Sequence, residues 1–363
     1  MSALADDEAV RLLTPEGERS DHPDYPLEVS ADRLRGLYRD MVVARRVDAE
    51  GVRLQRQGEL ALWPSLLGQE AAQVGSARAV REGDHVFPSY RDHAVALCRG
   101  LPPLDVFTMY RGAHHGGWDP ARHGFHLYTL VIGAQVLHAT GYAMGMAADG
   151  AESAVIVYFG DGATSQGDVN EALNFAAVYQ APVVFFCQNN QWAISAPVER
   201  QTRAPIHRRA AGFGLPGVRV DGNDVLACLA VTEAALGRAR RGLGPMLIEA
   251  YTYRMGAHTT SDDPSRYRSA AEEQRWQRRD PIARLRTYLE RNGLADEGYF
   301  AATDAEAERS ALDIRAAVRA MPDPPPERMF ADVYAGDHPL LAEERAWFAG
   351  YRSSFAGTGG GEA

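Results

Sequence analysis

Ser153 to Ser195 reads SAVIVYFGDGATSQGDVNEALNFAAVYQAPVVFFCQNNQWAIS, and its reading decides the fold. Val155-Ile156-Val157-Tyr158-Phe159 is a continuous β-branched and aromatic run, the pattern of a strand buried on both faces of a parallel sheet. It ends at Gly160-Asp161-Gly162. Asp168 is placed to cap a helix, with Glu171 three residues on as its reciprocal partner. Val169, Ala172, Leu173 and Ala176 recur on one face of that helix. Pro182 follows it, Val183 to Cys187 forms the next buried strand, and Gln188-Asn189-Asn190 stands where that strand should end. The crossover of such a strand-helix-strand unit is expected to be right-handed, so both strands point the same way.

Asp161 and Asn190 are therefore expected at the carboxyl ends of neighbouring parallel strands, the edge where open α/β sheets bind ligands. One carboxylate and one amide oxygen form a hard-oxygen half-shell, suited to magnesium rather than zinc. Two side chains cannot satisfy an octahedral ion, which leaves positions for a backbone carbonyl, a water and phosphate oxygens of a ligand. Gly162 and the amides after it let backbone N–H groups approach that phosphate. A GDG followed by NN at this separation resembles the thiamine diphosphate motif. There the GDG aspartate, the second asparagine and the carbonyl two residues later hold magnesium on the diphosphate, which here implies Asp161, Asn190 and the Trp192 backbone. The plainer alternative is a polar turn and an Asn cap. A nicotinamide fingerprint would need glycine at 165, where Ser165 stands.

The 363 residues are 45% apolar and 24% charged, an ordinary globular composition with room for one sizeable domain plus extensions. No run approaches the roughly 18 apolar residues of a membrane span, and a net charge of -10 argues against a nucleic-acid partner. All 38 basic residues are arginine. Without lysine the chain cannot be a pyridoxal phosphate enzyme, a Schiff-base aldolase or a Walker-type nucleotidase. Cys98, Cys187 and Cys228 are far apart and give neither a zinc spacing nor a disulfide framework. The acidic first 24 residues, broken by Pro15, Gly17 and Pro23, read as a disordered or loosely docked arm of a cytoplasmic protein.

Outward from the central unit, Ala31 to Leu60 reads as a long amphipathic helix ended by Gly58. Residues 61 to 69 form a loop entering a helix from Glu70 to Val80, and DHVFPSYR places Tyr90 and Arg91 after a short strand. A lone arginine is usually a solvated surface group; beside a diphosphate it is a bidentate anion clamp. His114, His115, His123 and His126 lie in a glycine-rich loop whose spacing matches no zinc signature. Val136 to Ala148 is a small-residue helix. Val218 to Gly222 and Pro245 to Ala250 are further strands around a helix capped by Asp224. This alternation predicts a doubly wound, mainly parallel α/β sheet with helices on both faces. Tyr253 to Arg268 is dense in polar groups and reads either as a solvated loop or as one able to meet an anion. The expected organisation is an arm over 1–30, a diphosphate-binding domain over 31–270, a helical extension over 271–356 and a disordered tail over 357–363.

Six segments occur in one order: RQGELALWPSLLGQEAAQVGSA, FPSYRDHA, GDGATSQGDVNEALNFAA, FFCQNN, VDGND and YRMGAHTTSDDPSRYR. Together they resemble the alpha subunit of the thiamine diphosphate-dependent decarboxylating component of 2-oxo acid dehydrogenase complexes. The resemblance implies that Tyr90 and Arg91 lie at the diphosphate and that Gly162 and Ala163 give amides to phosphate. It also implies that Leu130 and Ile132 offer backbone to the aminopyrimidine, and that His258 reaches the diphosphate and the reacting centre as proton donor or orienter. The loop from Arg254 to Arg268 would order around the cofactor and help dock the acyl-acceptor partner.

The resemblance further implies thiamine diphosphate and Mg2+ as cofactors and a beta subunit in an α2β2 heterotetramer. That subunit supplies the glutamate that activates the cofactor, so the chain is expected to be inactive alone. A lipoyl-bearing acyltransferase would accept the acyl group. Three departures stand out: Gln188 replaces an arginine of branched-chain relatives, Leu130-Val131 replaces a Ser-Pro step, and Ala134 removes a hydroxyl that helps hold potassium in some relatives. Trp63, Leu66 and Leu67 read as a bulky apolar pocket loop, which points to a branched-chain 2-oxo acid of the 3-methyl-2-oxobutanoate type, with pyruvate or acetoin as the alternative. A non-catalytic thiamine diphosphate-binding scaffold subunit is the competing class.

Overall fold

The computed structural model describes residues 8–114 and 117–355. Five strands form one parallel sheet: β1 (His85–Phe87), β2 (Val155–Gly160), β3 (Val183–Asn189), β4 (Gly217–Asp221) and β5 (Met246–Tyr251), in the order β1-β2-β3-β5-β4. The period-two alternation of a strand splits the apolar runs between two cores. Ile156, Tyr158, Val184, Phe186 and Ile248 pack into a layer with the helices Ala31–Arg56, Glu70–Ala77, Val225–Arg240 and Pro281–Arg291. Val155, Val157, Phe159, Val183, Phe185 and Leu247 pack on the other side with Ala134–Ala148 and Gly167–Tyr179. Both faces are thus covered, which is why the strands read as unbroken apolar runs. Emptying one such position, as in Phe185→Ala, removes a fully buried ring and is expected to cost about 3–5 kcal/mol.

Several local expectations are corrected. Asp168 does not cap: the helix Gly167–Tyr179 has Gln166 at its N-cap with no side-chain cap bond, and Asp168 sits inside the first turn. The preceding 3-10 turn Asp161–Ser165 feeds the chain almost directly into the helix, which leaves Asp168 in the first turn, where a carboxylate favours the helix dipole. Residues 1–7, His115 and the tail from 356 lie outside the described residues. From residue 8 the arm is docked rather than loose. Leu12 and Leu13 are buried and donate their amides to Asp224 at 2.7 and 2.6 Å, while the other oxygen of Asp224 caps Val225–Arg240. Burial pushes the Asp224 carboxyl up to about 6.

Tyr253 and Arg254 are fully buried, so the segment after β5 begins as core, not as a solvated loop. The short helices His93–Cys98, Pro103–Tyr110 and Pro120–His123 were not legible in the sequence. The compact units divide between Arg319 and Ala320 rather than at residue 270. Leu285 and Leu289 of Pro281–Arg291 belong to the main core. In the smaller unit a 3-10 turn, Pro326–Phe330, and the helix Pro339–Ser353 carry the ring pair Phe330–Phe348. No helix of the described residues is long and apolar enough to cross a membrane.

Candidate functional site

The carboxyl edge of the sheet opens into one cavity, and most of the anticipated site residues line it. β2 and β3 run parallel with Gly160 level with Gln188, so Asp161 and Asn190 leave adjacent strands on the same edge. Tyr90, Arg91, Ile132, Asp161, Gly162, Ala163, Asn190, Trp192 and His258 all face the cavity. Leu130 is 60% exposed and does not line it. Trp63 and Leu66 are core residues instead: Trp63 stacks between His93 and Phe107 with centroids 4.5 Å from each, and its indole donates to Asp48 at 2.9 Å. Leu67 packs beside Tyr253 and Trp276. The pocket-loop argument for substrate size therefore falls.

Asp161 is 1% exposed. Desolvation raises its carboxyl to about 6, and the Gln201 amide, donating at 2.9 Å, offsets this only in part. A buried carboxylate facing so little compensation suits a cation. Asn190 Nδ2 donates to Gln69 at 3.2 Å, which turns its Oδ1 toward the Trp192 amide, also at 3.2 Å. The Trp192 carbonyl accepts from Arg254 at 2.9 Å and keeps its second lone pair. Among the described residues no three His, Cys, Asp or Glu side chains converge on a metal position. A set with one carboxylate, one amide and one carbonyl fits a magnesium ion that completes its shell with ligand phosphate and water.

The opposite charge requirement is met on the same walls. A Cβ at Gly162 would stand 2.8 Å from Ala193 Cβ, so only glycine lets the backbone pass there. Arg91 donates to the carbonyls of Ser65 at 2.5 Å and His258 at 2.8 Å. Arg254 is buried and holds the Ile194 carbonyl at 2.7 Å as well as that of Trp192. Arg254 Nε and Gln69 Nε2 are buried without a protein partner, two donors on the cavity wall that suit an anion. His258 Nδ1 lies 3.3 Å from both Arg91 and Arg254. Guanidinium can only donate, so Nδ1 accepts and the ring proton sits on Nε2. Desolvation first, then the two arginine charges, lower the imidazole to about 3. His258 is neutral at physiological pH.

Sequence reasoning missed Arg254 and Gln69 as wall residues and Gln201 as the partner of Asp161. Only Arg254 carried a signal: it lies three residues past β5, and its amide bonds the Asn190 carbonyl at 3.3 Å. Gln188, at the departure from arginine, lines the cavity but spends its amide on buried Asp92 at 2.5 Å.

A family model described as dehydrogenase E1 component matches residues 38–327. The chain is 50% identical over 346 residues to the 3-methyl-2-oxobutanoate dehydrogenase subunit alpha of Mycobacterium tuberculosis (strain CDC 1551 / Oshkosh), which covers 95% of this chain and 94% of that protein. It is 41% identical over 289 residues to the pyruvate dehydrogenase E1 component subunit alpha of Bacillus cereus, covering 79% and 78% of the two chains. The protein of that name from Staphylococcus aureus (strain Mu50 / ATCC 700699) is 38% identical over 314 residues, or 86% and 84%.

Proposed function

We infer the function from a settled premise: the chain belongs to the dehydrogenase E1 component family. On it we base the reading of an alpha subunit that, with a beta subunit, decarboxylates a branched-chain 2-oxo acid of the 3-methyl-2-oxobutanoate type. The acyl group passes to a lipoyl-bearing acyltransferase. Support for this substrate is the 50% identity across nearly the whole chain; the pyruvate enzymes at 41% and 38% keep pyruvate as the second reading. Free, dispersed cysteines fit a reducing, cytoplasmic setting.

Thiamine diphosphate supplies the carbanion chemistry when bound. The chain's own part is to seat it. Asp161, the Asn190 amide oxygen and the Trp192 carbonyl are the proposed Mg2+ ligands. Gly162 and Ala163 offer amides to phosphate, while Tyr90, Arg91 and Arg254 border the anion. His258, kept neutral by desolvation and then by its two arginines, offers an Nε2–H as a hydrogen-bond donor and orienter rather than a standing acid. Ile132 contributes an apolar wall. The observation that carries the reading is this single cavity, in which a desolvated carboxylate and two free buried donors stand together.

The test is turnover by the reconstituted alpha-beta pair. Carbon dioxide release should be faster from 3-methyl-2-oxobutanoate than from pyruvate and absent from the alpha chain alone. A preference for pyruvate would overturn the substrate, and turnover without beta would overturn the division of labour.

A further inference from the structure

Behind the cavity, and outside its lining, lies a second polar cluster that the reading above does not use. Glu249 on β5 is fully buried and accepts five hydrogen bonds: from Arg219 at 2.9 and 3.1 Å, from the His207 amide at 3.0 Å and its Nδ1 at 2.9 Å, and from Asn189 Nδ2 at 2.7 Å. The Asn189 contact has a directional consequence. An amide can present either end, and a carboxylate accepts only from the NH2 end. Asn189 Oδ1 is thereby turned to the Gln191 amide, which it accepts at 3.1 Å.

Gln191 has φ +71, a left-handed conformation that residues other than glycine rarely adopt. Its side chain is held at both ends, donating to the Thr252 carbonyl at 2.6 Å and accepting from the Tyr251 hydroxyl at 3.0 Å. Such a residue persists only where its surroundings over-determine it. It stands between Asn190 and Trp192, the two residues of this turn that carry proposed cation ligands, so its φ governs how far apart those oxygens lie.

We propose that Glu249 is a positioning residue for cation binding, acting through Asn189 and the left-handed Gln191 to set the Asn190 amide oxygen and the Trp192 carbonyl. The role rests on the reading of Asp161, Asn190 and Trp192 as the cation set. Groups that orient metal ligands from behind typically change affinity roughly ten- to hundredfold when removed.

The experiment is calorimetric titration of Mg2+ into the alpha-beta complex at saturating thiamine diphosphate. Asn189→Leu removes the relay while leaving Glu249 paired with Arg219 and His207, and should weaken Mg2+ by roughly ten- to hundredfold. Glu249→Gln should do the same, and the double variant should be no weaker than the worse single, since both act on one path. If Glu249→Gln fails to fold, Asn189→Leu decides alone. A lowered Tm with Mg2+ affinity held at the wild-type value would reduce the cluster to a structural anchor and overturn the proposal. Asp161→Ala, run in parallel, separates the two levels. Loss in that variant with retention in Asn189→Leu defeats only the positioning role, whereas retention in both defeats the cation set and the role with it.

Discussion

Asp161, just past the end of β2, and Glu249, on β5, are buried carboxylates at the two strands that flank β3, with Glu249 level with Phe159, two residues below Asp161. Burial works on both in the same direction, raising the carboxyl. Around Glu249 the chain answers with His207 and Arg219, and the group is held down to about 2. Around Asp161 it answers mainly with the neutral Gln201 amide, and the group stays near 6. The difference separates a charge that folding compensates from one left for an external cation. A buried carboxyl does not by itself mark a site; what surrounds it does.

The largest break in this comparison should come from Arg219→Met. It strips the cation from Glu249 and leaves a buried charge, for which a loss of about 3–5 kcal/mol in denaturant unfolding is expected. Asp161→Asn, by contrast, should not lower stability and should raise it at neutral pH, since no internal ion pair is broken and a desolvated charge is removed. A loss at Asp161 as large as that at Arg219 would erase the distinction.

Second in size is ligand binding. Asp161→Ala should weaken Mg2+-dependent thiamine diphosphate binding by more than about a hundredfold, beyond what a residue behind the ligands contributes. Equilibrium dialysis of the complex checks this, and cofactor binding indifferent to Mg2+ would contradict it.

The smallest effect is the pH dependence, and its sign differs between the two groups. The raised Asp161 carboxyl favours the folded state below its ordinary value of 3.8 and loses that contribution as pH rises through about 6. The depressed Glu249 carboxyl contributes above 4.5 and loses its share as pH falls toward about 2. Cation binding needs Asp161 ionised, so Mg2+ affinity should decline by about tenfold per pH unit below 6. In the Asn variant that part of the slope should vanish from a Mg2+ titration series.

What the sequence disclosed follows the same divide between local and distant causes. The strands at Val155 to Phe159 and Val183 to Cys187 were legible because unbroken apolar runs have one economical burial, and Asp161 and Asn190 because strand ends fix their edge. Asp224 was legible as a cap because capping is local. The burial of Arg254 was not: it depends on carbonyls of Trp192 and Ile194, about sixty residues earlier in the chain. Trp63 misled for the same reason, since its bulk looked like a pocket wall until His93 and Phe107 were seen to sandwich it. Docking of Leu12 and Leu13 needed Asp224 more than two hundred positions away, and composition alone made that arm look loose.

The most direct test of the account is the position of the ion itself. In crystals of the alpha-beta complex grown with thiamine diphosphate and Mn2+ in place of Mg2+, anomalous scattering should place one peak bounded by Asp161, the Asn190 amide oxygen and the Trp192 carbonyl. Metal–oxygen distances should be about 2.1–2.2 Å, at or slightly beyond those of magnesium in the same six-coordinate shell. A peak elsewhere in the cavity, or a bound cofactor with no metal among these three oxygens, would contradict it.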